Sequence, residues 1–221
     1  MSKKILFDGM NLSIKQGTGV ATYTRVTAGL AQSLGHETAI LYSRAKSPPK
    51  DRLAQEVAFF DEEPDDRRTF SRLLLKGLDH LVGLMGTPVR RVPLDGAVLT
   101  QPLGSRWVPA DHVYTAPNVF ERAYGRFIAL GQLPKLALAQ QPDIAHWTFP
   151  LPLRVGKGAN IYTVHDLVPL RLPYATLDHK RTYLKLLSAI GKKADHIVTV
   201  SEYSRQDIIR YLGVDAARVT N

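Results

Sequence analysis

Ala194-Asp195-His196-Ile197-Val198-Thr199-Val200-Ser201-Glu202-Tyr203-Ser204 reads as a strand handed straight to a helix. His196 to Val200 is short, apolar and β-branched, the composition of a strand covered on both faces. Ser201 is placed to cap the following helix, which runs to about Leu212 and is closed by Gly213. A buried strand followed at once by a capped helix is the building unit of a parallel sheet.

The same rhythm extends upstream. Asp143 to Trp147 and Ile161 to Val164 are apolar strands with a polar pair at or near the C-terminal end, and Leu177 to Ile190 has helical periodicity. At the N-terminus, Lys4 to Phe7 is a strand ending at Asp8-Gly9. Gly17-Thr18-Gly19 then opens a helix over Val20–Leu34, and Glu37 to Tyr42 is the next strand. This βαβ unit takes a right-handed crossover. The fold class expected is α/β, a Rossmann-like doubly wound parallel sheet.

The middle of the chain is less regular. Residues 44–66 read as loop, with Pro48-Pro49 and an acidic run from Asp61 to Asp66. Arg67 to Met85 reads as an amphipathic helix. Arg68, Arg72 and Lys76 lie on one side and Phe70, Leu74, Leu78, Leu81 and Met85 on the other, the pattern of either a surface helix or an interfacial membrane helix. From 87 to 117 a strand near Ala97–Thr100 is expected and the rest is left open. Asn118 to Leu130 reads as a helix capped by Asn118, with Glu121 three residues on.

The 221 residues are 44% hydrophobic and 22% charged, enough to build a core and incompatible with a disordered or fibrous chain. Twenty-nine basic against 20 acidic side chains give a net charge of +9, which suits an anionic partner. No block of like charge forms a nucleic-acid arm, so no nucleic acid is expected. The richest basic stretch holds Arg171, Lys180, Arg181, Lys185, Lys192 and Lys193. There are no cysteines, and no apolar run approaches the roughly 18 residues of a membrane span. A cytoplasmic location is expected.

Ligands of open parallel sheets gather beyond the C-terminal ends of the strands. Gly17, Thr18 and Gly19, at the start of a helix, are either an anion site of backbone N–H groups or an ordinary glycine turn. The dinucleotide fingerprint GxGxxG is absent, since Thr22 stands where its third glycine belongs. His165 and Asp166 follow a buried strand and suit a sugar hydroxyl or a proton transfer; His165 can equally bond only to backbone. His146 and Trp147 form a similar pair one strand earlier, suited to stacking on a sugar ring or to the core. Ser201, with Ser204, lies at a helix N-terminus that faces an anion or is merely capped. No HExxH, P-loop, GxSxG or zinc-type spacing is present, and no metal site is assigned. Nor is there a clear GxxGxxG turn or Tyr-x-x-x-Lys pair for a nucleotide-sugar epimerase or dehydrogenase.

The chain resembles the N-terminal domain of glycosyltransferase family 4, retaining enzymes of the GT-B type. The resemblance rests on Lys4-Ile5-Leu6-Phe7-Asp8-Gly9 with Gly17-Thr18-Gly19-Val20-Ala21-Thr22-Tyr23. It rests more firmly on Ile161-Tyr162-Thr163-Val164-His165-Asp166-Leu167-Val168-Pro169-Leu170 and on the stretch from Ala194 to Ile208. Residues 1–43 and 140–221 carry it well, 44–139 loosely, within one domain spanning 1–221.

The resemblance implies transfer of a hexosyl group from a nucleotide-diphosphate sugar to a glycan or lipid-linked hydroxyl, with retention, in envelope polysaccharide or glycolipid synthesis. The nucleotide-sugar is a substrate, and no cofactor is implied. Gly17, Thr18, Gly19 and Ser201 would face the donor diphosphate, His165 would contact the donor sugar with Asp166 beside it, and His146 and Trp147 would lie on the acceptor side. The family's second Rossmann-like domain, which holds the nucleotide, would follow Arg218-Val219-Thr220-Asn221. The expectation is therefore an acceptor-side half that needs a donor domain in cis or in trans, transfers weakly alone, and touches the inner face of the membrane peripherally. The alternative is a non-catalytic domain that binds an acceptor glycolipid or a partner chain.

Overall fold

The computed structural model describes residues 1–13, 19–44, 49, 51–60, 89–96, 98, 108–172, 174 and 179–221. Gly17, Thr18 and the helix expected over 67–85 lie outside the described residues, as does most of the strand expected near 97–100.

Strands β1 (Lys4–Asp8) and β2 (Glu37–Arg44) flank helix α1 (Gly19–Ser33) as the first βαβ unit. Helix α2 (Arg52–Phe60) and strands β3 (Arg90–Val92) and β4 (His112–Pro117) follow. Helix α3 (Val119–Leu130) leads through β5 (Lys135–Leu136) to β6 (Ile144–Trp147), β7 (Arg154–Val155) and β8 (Ala159–Thr163). The chain closes with α4 (Val168–Arg171), α5 (Lys180–Lys193), β9 (His196–Val198), α6 (Glu202–Leu212) and β10 (Val219–Thr220).

Eight strands form one sheet in the order β10-β9-β8-β6-β1-β2-β4-β3. Every pairing in it is parallel except β3 with β4 at one edge. Winding proceeds from β1 through β2 to β4, then returns to the other side of β1 at β6. The doubly wound parallel fold is as the sequence indicated, and the switch point lies between β1 and β6.

Alternation along the strands builds a core on each face. Leu6 and Leu41 pack with Phe120 and Phe127 of α3, Leu186 and Ile190 of α5 and Ile208 of α6. Phe7 and Ile40, each adjacent in sequence, pack instead with Ala21 and Ala28 of α1 and Phe59 of α2. The exit from β1 takes only glycine, because a Cβ on Gly9 would stand 2.8 Å from Tyr42 Cδ1 and 2.9 Å from Leu41 O.

Several local expectations are corrected. Part of the stretch read as loop is α2, opened by Asp51, whose carboxylate accepts from the Ala54 N–H at 2.9 Å. Within 87–117 the chain forms β3 and β4. Asn118 does not cap α3 with its side chain; it sits at φ 47° in the left-handed region. Glu121 accepts from the Ser43 hydroxyl at 3.1 Å. Ser201 does cap α6, its Oγ accepting from the Ser204 N–H at 3.1 Å.

Candidate functional site

Three strand ends converge beside the switch point: β1 at Asp8, β6 at Trp147-Thr148, and β8 at Thr163-Val164-His165. Helix α1 lies across them, bringing Tyr23 and Thr24 to the same place.

Asp8 is fully buried, and one carboxylate oxygen accepts from both the backbone N–H of Thr148 and its hydroxyl, the latter at 2.9 Å. Burial raises the Asp8 carboxyl to about 6, opposed in part by those bonds. Thr24 donates to the Thr148 hydroxyl at 2.8 Å. The Thr148 carbonyl lies 3.0 Å from His165 Nε2. A carbonyl only accepts, so Nε2 carries the proton, and in the neutral ring Nδ1 is the acceptor.

A second chain of bonds runs alongside. His146 Nε2 is 2.8 Å from the Thr163 hydroxyl, which in turn donates to the Tyr23 hydroxyl at 3.0 Å. Burial, with His165 as a lesser cause, lowers His146 to about 4, so it is neutral at pH 7. Tyr23 stands edge-on to both imidazoles, its ring centroid 6.1 Å from that of His146 and 5.2 Å from that of His165.

His165 and Asp166 open onto a cleft of ≈ 420 Å³, walled by Tyr124, Phe149 and Tyr183, with Val20 from the first turn of α1 at its edge. Asp166 is exposed there, and its carboxylate accepts from the Val168 N–H at 2.9 Å, closing the turn into α4. Gly19, at the start of α1, is exposed, and a Cβ there would meet nothing within 4 Å. Its lack of a side chain is not required by packing.

The other expected residues are arranged differently. Trp147 is 1% exposed, packed against Tyr162 in the core, and offers no face to a sugar ring. His146 is buried within the polar network and does not line the cleft. The Ser201 hydroxyl donates to Ser204 Oγ and accepts from the Ser204 N–H. Sequence reading did not single out Asp8, Tyr23, Thr24 or Thr148. Asp8 alone had a visible signal, a carboxylate at the end of an apolar strand at the switch point.

Beside the cleft, α4, α5 and α6 enclose a groove of ≈ 610 Å³. Leu170, Leu184 and Tyr211 supply apolar surface, and Arg171, Lys180 and Arg181 surround it. Arg171 pairs with Asp207 at 2.8 Å. No helix among the described residues is long and apolar enough to cross a membrane.

The family model of Glycosyltransferase Family 4 matches residues 17–220. No curated protein matches the chain.

Proposed function

The chain belongs to glycosyltransferase family 4, and from that membership we propose that it is the acceptor-side domain of a retaining hexosyltransferase. Membership brings a nucleotide-sugar donor and an acceptor. We assign the acceptor, a glycan or lipid-linked hydroxyl of envelope polysaccharide or glycolipid synthesis, to the cleft beside His165. The observation that carries this reading is His165, bonded through Nε2 to a backbone carbonyl and opening onto a cleft with three aromatic walls. Aromatic faces accept the apolar faces of sugar rings, while the imidazole meets a hydroxyl.

In this mechanism His165 contacts the donor sugar near the reacting carbon, and Asp166 binds a hydroxyl at the same rim. Gly17, Thr18 and Gly19 are assigned to the diphosphate; of these, Gly19 opens α1, whose positive end lowers the cost of the diphosphate's departure. Ser201 is left as a cap. No protein nucleophile is needed: the C1–O bond to the nucleoside diphosphate breaks as the acceptor hydroxyl attacks C1 from the same face and passes its proton to an oxygen of the departing diphosphate.

The groove of α4–α6 supports peripheral contact with an anionic membrane, because apolar side chains ringed by cations match an acidic lipid surface. We place the domain on the cytoplasmic face, working with a nucleotide-binding domain in cis or in trans. The test supplies labelled nucleotide-diphosphate sugars and a membrane acceptor extract to the 221-residue chain, alone and joined to such a domain. Turnover is expected only in the joined form. Absence of transfer there would reject the reading, and multiple turnovers by the chain alone would reject the need for a second domain.

A further inference from the structure

We propose that Asp8 is a positioning residue for His165, acting through Thr148. Asp8 lies at the end of β1 and His165 beyond the end of β8, with Thr148 after β6 between them. Asp8 accepts from the N–H and the hydroxyl of Thr148, and the remaining polar atom of that residue, its carbonyl oxygen, receives His165 Nε2 at 3.0 Å. Thr24 adds a bond from α1 to the Thr148 hydroxyl. All three polar atoms of Thr148 are thereby engaged, and its carbonyl can point in one direction only.

A carboxylate is a costly residue for this place. Asp8 is fully buried, and its second oxygen has no hydrogen-bond partner among the described residues. A neutral asparagine or a serine would bond to a backbone N–H without desolvating an ion. What a carboxylate adds is charge, which makes both bonds from Thr148 shorter and stronger than a neutral amide oxygen taking the same two donors would, fixing the backbone and the side chain of Thr148 together. With the carbonyl so fixed, His165 holds its proton on Nε2 and keeps Nδ1 as the acceptor. The sugar hydroxyl assigned to His165 then meets one tautomer. This inference rests on the glycosyl-transfer role given to His165, but its geometry is tested without turnover.

The experiment is nitrogen NMR of the histidine-labelled 221-residue chain at pH 8, with the His165 signals identified by their loss in His165→Gln. Wild type is expected to show the Nε2–H tautomer in excess. Asp8→Ala, which removes the shared acceptor, and Thr148→Val, which removes the hydroxyl, should each lower the Nε2–H to Nδ1–H ratio by about three- to tenfold, the population ratio that one hydrogen bond controls. Thr148→Ser, which keeps the hydroxyl, should retain the wild-type ratio. If Asp8→Ala does not fold, Thr148→Val decides. An unchanged ratio in the folded variants that remove the contacts would overturn the proposal. Absence of sugar transfer with the tautomer still dependent on Asp8 would overturn only the assigned chemistry.

Discussion

Tyr23 and His165 meet edge to face, ring centroids 5.2 Å apart and planes at 82°. The contact joins the first turns of α1 to the end of β8, so the helix that Gly19 opens also braces the imidazole. His165 is therefore held from two sides, by a ring edge and by the Thr148 carbonyl.

That bracing separates chemistry from stability. His165→Ala removes one hydrogen bond and one ring contact, a loss of ~1 kcal/mol in folding. If the imidazole acts at the reacting centre, turnover by the domain-joined enzyme should fall by about 10²–10⁴-fold. Tyr23→Phe keeps the ring edge and should retain most of the rate. Steady-state kinetics together with urea unfolding check both. An intact rate in folded His165→Ala would retire the assignment.

Gly19 yields a second split. A Cβ there enters open space, so Gly19→Ala should change stability by no more than ~0.5 kcal/mol. If the diphosphate approaches the start of α1, the added methyl displaces it, and kcat/KM for the nucleotide-sugar should fall by ~10²-fold. Equal kcat/KM in the variant and wild type would mean that the glycine is only a turn residue.

The groove of α4–α6 makes a salt-dependent prediction. Arg181 and Lys185 are exposed one helical turn apart on α5, beside Leu184, which is 45% exposed. Each cation near an acidic bilayer contributes ~1 kcal/mol, so neutralising both as Gln should weaken binding to phosphatidylglycerol vesicles by ~30-fold. Flotation at low and high salt reads this. Equal recovery with uncharged phosphatidylcholine vesicles, or no change in the double variant, would remove the membrane role.

The strands were legible because Ile161–Val164 and His196–Val198 are mostly apolar and short, with Tyr162, Val164 and Ile197 buried in the core. The β3–β4 edge was not, because β4 is six residues ending in Pro117 and sits among prolines and glycines that mask its period. Helix α2 was hidden by its prolines upstream and acids downstream, although Asp51 was a readable cap. At the site, His165 was visible because a histidine after a buried strand is conspicuous. Thr148 was not, since nothing local distinguishes a threonine that three elements grip from one in an ordinary loop. Trp147 shows the converse: an aromatic beside a polar residue suits a sugar or a core equally, and only the fold decides.

Asp8 and His146 should tilt stability in opposite directions over the same pH range. Asp8 rises from 3.8 to about 6, so between those values the native state binds the proton more tightly than the unfolded chain. Stability from this group is greatest at low pH and declines as pH rises through 6, by ~3 kcal/mol in all. His146 falls from 6.5 to about 4, so the unfolded chain binds the extra proton. Its contribution is complete above pH 6.5 and is lost by ~3 kcal/mol as pH drops through 4. The two nearly cancel in the wild type and are exposed one at a time by substitution. Urea unfolding at pH 4.5, 5.5 and 7 should show wild type losing ground to Asp8→Asn as pH rises, and gaining ground on His146→Gln over the same steps. Differences of the same sign, or none, would mean that the buried carboxylate and imidazole do not ionise as their burial requires.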